Sequence, residues 1–135
     1  MTLENLVKIR ELHEEAADKR EFEGLLNAAS DRLNDAENDS LSYASRFDLA
    51  YNAAHGLALA ALRAAGYRSD KRYIVFQCLV HTTEIDKTTV RLFSKCHDKR
   101  NLAEYEGHFE VDEQLLSELI TCTKKLKTLV DKIEL

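Results

Sequence analysis

"SYASRFDLAYNAAHGLALAALRAAGY", residues 42–67, decides the fold. Phe47, Ala50, Tyr51, Ala54, Leu57, Ala58, Ala61, Leu62 and Ala65 recur at the three- and four-residue steps of an α-helix. They make an apolar face too wide for one neighbour, so other helices must cover it. The small residues along it, Gly56 among them, invite a close helix–helix approach. Gly66 stands where a left-handed C-terminal cap belongs.

Working outward, "DKRE" at 18–21 offers Asp18 and Glu21 as a capping box. Behind it Phe22, Leu25, Leu26, Ala29, Leu33 and Ala36 form one helical stripe, closed by the polar "NDAENDS" at 34–40. Further upstream, Thr2 can cap a helix in which Leu3, Leu6, Ile9 and Leu12 recur at three-residue steps. Downstream, "YRSDKR" at 67–72 reads as a turn with Asp70 as the next N-cap. "RYIVFQCLVHTT" at 72–83 is rich in β-branched residues, yet a lone strand has no partner here, so it reads as helix. Thr88 or Thr89 begins another helix, with Val90, Phe93 and His97 in line, ending near Gly107. Asp112 caps the last, striped by Leu115, Leu119, Ile120, Leu126, Leu129, Val130 and Ile133. Lys124, Lys125, Lys127 and Lys132 lie toward its negative dipole end. The expectation is all-α: one domain over 1–135, an antiparallel bundle of about five helices.

Composition agrees. The 135 residues include no proline and four glycines, too few turn formers for an all-β fold of this size. A formal charge of −5 gives no global field for nucleic acid or an anionic membrane. No apolar run is long enough to span a bilayer, and "MTLENLVKIR" lacks the apolar core of a signal peptide. Cys78, Cys96 and Cys122 are odd in number and far apart, which reads as reduced thiols packed as small hydrophobes in a cytoplasmic protein. Neither a glycine-rich phosphate loop nor a zinc spacing occurs, so no cofactor or metal is expected. His81 and Glu84, three apart, have no third ligand in view.

One helix is chemically dense. "SKCHDKRNLAEYEGH", residues 94–108, carries His97, Arg100, Asn101, Glu104, Tyr105 and His108. His97, Asn101 and Tyr105 are four apart and share a face; Arg100 and Glu104 form a second such pair. One reading is a solvated ion pair beside an ordinary tyrosine. The other makes Arg100 a fork for phosphate or carboxylate, oriented by Asn101 and walled by Tyr105. Arg46 at the start of the long helix reads as a solvated terminus or, in the second reading, as a further cation for such an anion site, and His55 reads as an interface histidine.

"KRNLAEYEG" resembles the variant motif of the HEPN superfamily, in which Arg-Asn precedes a small-acidic-Tyr group near a helix end. "FDLAYNAAHGLALAALRAAGY" resembles that family's long second helix, and the likeness covers about residues 40–133. The resemblance implies a homodimeric bundle, often a prokaryotic toxin–antitoxin component partnered by a nucleotidyltransferase. It implies binding of RNA or nucleotide through Arg100, Asn101, Glu104 and Tyr105. Active members resemble metal-independent RNases that pair two Arg-x(4–6)-His motifs across a dimer. Arg100 matches the arginine, and Tyr105 stands at the histidine's place. His108 follows Arg100 by eight residues, outside that spacing. His97 is then the substitute acid or base. The expectation is a binding or interaction module, with an RNase using Arg100, Tyr105, His97 or His108 as the alternative, and a scaffold with no ligand site as the third reading.

Overall fold

The computed structural model describes residues 2–107 and 110–135. Its axis is α3, Tyr43–Ala64, started by Ser42, whose hydroxyl accepts from the Ser45 N–H at 3.1 Å. Phe47, Ala50, Tyr51, Ala53, Ala54, Leu57, Ala58, Ala60, Ala61 and Leu62 are all buried, so the helix is covered nearly all round. α2, Lys19–Ala36, lies along it through Phe22, Ala29, Leu33 and Ala36. Only residues 37–42 join the two, so they run antiparallel. A methyl added at Gly56 would meet Ala29 Cβ at 3.7 Å, an ordinary contact, so that glycine does not set the helix spacing.

α6, Lys87–Glu106, and α7, Glu113–Val130, complete the four long helices of an all-α bundle. α7 packs Leu116, Leu119, Leu126 and Val130 inward. Lys124 pairs with Glu37 at 2.9 Å and Lys125 with Asp86 at 2.5 Å, tying α7 to the end of α2 and the start of α6. Among the described residues no helix is long and apolar enough to cross a membrane.

Several boundaries differ from the sequence expectation. α1 covers only Leu3–Lys8. The chain then turns through Arg10 at φ 64°, which leaves Ile9 exposed and carries Leu12 into the core on extended backbone. Residues 72–83 form two short helices, α4 Arg72–Gln77 and α5 Leu79–Thr82, so the described residues hold seven helical segments where about five are expected. Lys71, not Asp70, occupies the cap of α4, because the Ser69 hydroxyl takes the Lys71 N–H at 3.1 Å. α6 starts from Asp86 rather than a threonine. Its carboxylate accepts from the Thr89 N–H at 3.1 Å and from the Thr89 hydroxyl at 2.8 Å.

Asp18 does cap α2, accepting from the N–H groups of Arg20 and Glu21. The Glu21 carboxylate does not close a capping box; it turns to Arg63 and Arg68. Arg63 is 2% exposed. Its guanidinium donates to Glu21 at 2.5 Å and to the backbone carbonyls of Glu15 and Ala16 at 2.8 and 2.7 Å. Arg68 bridges Glu15 and Glu21 beside it. A two-residue antiparallel ladder completes the joint: β1, His13–Glu14, pairs with β2, Tyr67–Arg68. Gly66, at φ 92°, makes the turn from α3 into β2.

The thiols behave as packing groups. Cys78 and Cys96 are buried, and burial pushes them up to about 11 and about 12. Arg63→Ala removes the partner of two backbone carbonyls and a carboxylate and empties a buried site. It should cost about 3 kcal/mol and lower the melting temperature by roughly 10 °C, read by circular dichroism. Glu21→Gln, at a site a third exposed, should cost clearly less.

Candidate functional site

Asp48, Tyr51, Asn52 and His55 share one face of α3 by their three- and four-residue spacing. α4 brings Arg72, Tyr73 and Phe76 to that face, and α6 brings His97, Arg100, Asn101 and Glu104. Tyr51 is the hub, 1% exposed. Its ring lies under the Arg100 guanidinium at 5.2 Å and the Arg72 guanidinium at 5.5 Å. Both contacts fall within cation–π range in a partly desolvated setting.

The hydroxyl of Tyr51 is 2.8 Å from His97 Nδ1, and Asn101 Nδ2 is 3.1 Å from His97 Nε2. A neutral imidazole offers one donor and one acceptor, which satisfies both contacts at once. Burial first, then Arg72 and Arg100, lower the His97 pKa against the opposing pull of Asp98. Burial raises Tyr51, with Arg72 working the other way. His55 stands edge-on to Phe76, ring centroids 6.0 Å apart. Burial, followed by Arg72, His97 and Arg100, brings it down to about 4. At neutral pH the site therefore holds two fixed cations and two uncharged imidazoles.

The two arginines differ in what they already hold. Arg100 donates from Nε to Asp48 at 3.0 Å and lies 3.3 Å from Glu104. Burial opposes its charge, but Asp48 more than restores it, so its pKa is raised. Both carboxylates are more than half exposed, and such pairs are weak. They flank a hollow of about 220 Å³ lined by Ala44, Asp48, Arg100, Ala103 and Glu104. Arg72 donates to Asn52 Oδ1 at 3.0 Å and pairs with no carboxylate among the described residues.

Of the residues expected at the site, His97, Arg100, Asn101 and Glu104 are brought together. Tyr105 is not: it is 91% exposed and makes no contact with the cluster. Although four residues past Asn101, it lies in the last turn of α6, where its side chain stands in solvent. His108 lies outside the described residues. Arg46 is not a second cation here. Its Nε donates to the Ala36 carbonyl at 2.7 Å, and its NH2 lies 3.7 Å from Asp39, which closes the end of α2. Among the described residues no group of three His, Cys, Asp or Glu could hold a metal, His81 and Glu84 included. Arg72 was missed because no linear spacing joins it to positions 51 and 100. The clue was its place in the "KR" pair just before the "YIVF" run. No family model, curated protein or solved structure matches this chain.

The His55 titration gives a direct check. Its folded pKa lies below the unfolded value of about 6.5, so the unfolded chain binds more protons between there and about 4. Stability therefore falls on acidification across that window. Nuclear magnetic resonance of the imidazole should show a midpoint near 4, and His55→Gln should flatten that part of the stability profile.

Proposed function

We propose that this chain is a HEPN-like binding module, a dimeric partner of a nucleotidyltransferase in a cytoplasmic toxin–antitoxin setting. It holds RNA or nucleotide phosphate on the face built by Arg100 and Asn101. The observation that carries this reading is the convergence of two guanidiniums on the buried Tyr51 ring. Such a pair gives an anion two planar forks on a rigid floor, and the exposed Asp48 and Glu104 are weak enough competitors to yield. The all-α bundle is consistent with the family resemblance, and Arg-Asn lies near the end of α6 as the motif requires.

A metal-independent RNase is the second reading, favoured by the neutral His97 beside Arg100. In that reading Arg100 stabilises the developing phosphorane charge, and His97 moves the proton in place of Tyr105. The two separate in one experiment. Arg100→Ala should reduce RNA or partner binding at least tenfold while leaving helicity unchanged, and Arg100→Lys should restore little of it. Cleavage of RNA lost in His97→Gln, with binding retained, selects the nuclease. A large fall in melting temperature with unchanged binding would make Arg100 a structural residue.

The dimer rests on the outer part of α6. No residue after Cys96 in that helix is buried, and Leu102 and Tyr105 face solvent at 54% and 91%. Apolar groups three apart on an uncovered helix suit a second copy of the same surface. Light scattering should give twice the 15.4 kDa chain mass, and Leu102→Glu with Tyr105→Glu should return the monomer. A monomeric parent protein would refute the dimer.

A further inference from the structure

His55 has the chemistry of a group left waiting. It is half-buried against Phe76, yet neither ring nitrogen makes a hydrogen bond among the described residues. His97, by contrast, has both nitrogens engaged. The charged and titratable groups acting on His55 are Arg72 from α4 and His97 and Arg100 from α6. On its own helix α3, Tyr51 and Asp48 lie one and two turns back, and Asp48 stands on Arg100 together with Glu104 of α6. The carboxylates of the face thus sit on Arg100, and none pairs with Arg72 among the described residues. The partners of Arg72 are the neutral Asn52 and Tyr51, which leave donors to spare on the same face.

We infer that this face binds a doubly charged oxyanion, a terminal phosphate being the natural case, on Arg72 and Arg100, and that His55 takes up a proton as the anion enters. The inference rests on the binding-module reading and adds to it a ligand class and a second anchor. The physical cause is simple. An empty site makes a charged imidazole pay for burial beside two guanidiniums, whereas a dianion between them reverses the sign of the local field. The proton then gives the ligand a third cationic donor. A singly charged phosphodiester reverses that field less. The site therefore distinguishes a strand end, or a free nucleotide, from the middle of a strand.

Sulfate is the probe, because it stays a dianion while phosphate itself titrates near pH ~6. Nuclear magnetic resonance of the intact protein should show the His55 midpoint moving upward from about 4 as sulfate is added. Sulfate affinity should rise about tenfold between about pH 7 and pH 5, approaching one proton taken up per anion. Calorimetry in buffers of different ionisation enthalpy should record that uptake without any variant. Arg72→Ala should abolish sulfate binding at every pH. His55→Gln should bind sulfate but lose the pH dependence, with melting curves confirming that both variants fold.

Two further arms place the phosphate: a short RNA with and without a terminal phosphate, and adenosine monophosphate. Preference for the phosphorylated strand end assigns the site to RNA ends, and tighter binding of the mononucleotide assigns it to free nucleotides. RNA bound through Arg100 with His55 unmoved by sulfate would overturn the proton coupling while leaving the binding module standing. Absence of sulfate, nucleotide and RNA binding alike would overturn both.

Discussion

A single buried guanidinium ties the segment before α2, and the first turn of α2, to the end of the central helix. Arg63 lies at the end of the central helix with almost no exposure to water, and a charge there is tolerable only if every donor is used. The partners come from the chain before α2, from α2 and from β2: the carbonyls of Glu15, Ala16 and Tyr67 and the carboxylates of Glu15 and Glu21. The requirement runs in both directions. Residues 13–18 have too little regular structure to position themselves, and Arg63 supplies donors that fix the Glu15 and Ala16 carbonyls in place. The two-residue ladder to β2 and the Arg68 bridges follow from that placement. With α2 fixed at its start and α3 at its end, their antiparallel packing is set, and so is the face of α3 that remains for α4 and α6.

That remaining face is where the polar chemistry collects, and the same helix serves both purposes. One side of α3 is small and apolar enough for α2 to lie against it. The other carries Asp48, Tyr51, Asn52 and His55, one turn apart, and these would be costly to bury without partners. α4 and α6 supply partners for the first three in Arg100, His97 and Arg72. Tyr51 shows how closely core and site are joined: its ring is part of the hydrophobic core, and its hydroxyl belongs to the His97–Asn101 chain.

Much of this was legible in the residue pattern, and what was not has physical causes. The long helices follow from periodicity, because a stripe sustained over 18 to 22 residues admits no other burial. Short segments were harder. Leu3, Leu6, Ile9 and Leu12 keep helical spacing, but tertiary contacts at Leu12 outweigh the propensity of a six-residue helix, which is weak by itself. Asp18 and Glu21 match a capping box, but a buried arginine 42 residues away is a stronger partner for Glu21 than a backbone N–H. The site shows the same division. His97, Arg100 and Asn101 can be grouped because one helix carries them; Tyr105 shares that spacing but stands apart in solvent, since among the described residues no second element packs against it in the last turn of α6. Arg72 and His55 join only through the meeting of three elements, a relation no local window contains.

The end of α6 has a consequence for motion. Up to Cys96 the helix is anchored by Val90, Phe93 and Cys96 in the core; beyond Arg100 its turns are held by little more than their own hydrogen bonds. Isolated turns of that length are only marginally stable, so in a single copy they are free to open without disturbing the bundle. Arg100 and Asn101 stand at the boundary between these regimes. Amide exchange should therefore slow steeply on moving back along α6 from Glu104 to Phe93, and any molecule that bridges Arg100 to α3 or α4 would extend the slow region outward, turn by turn.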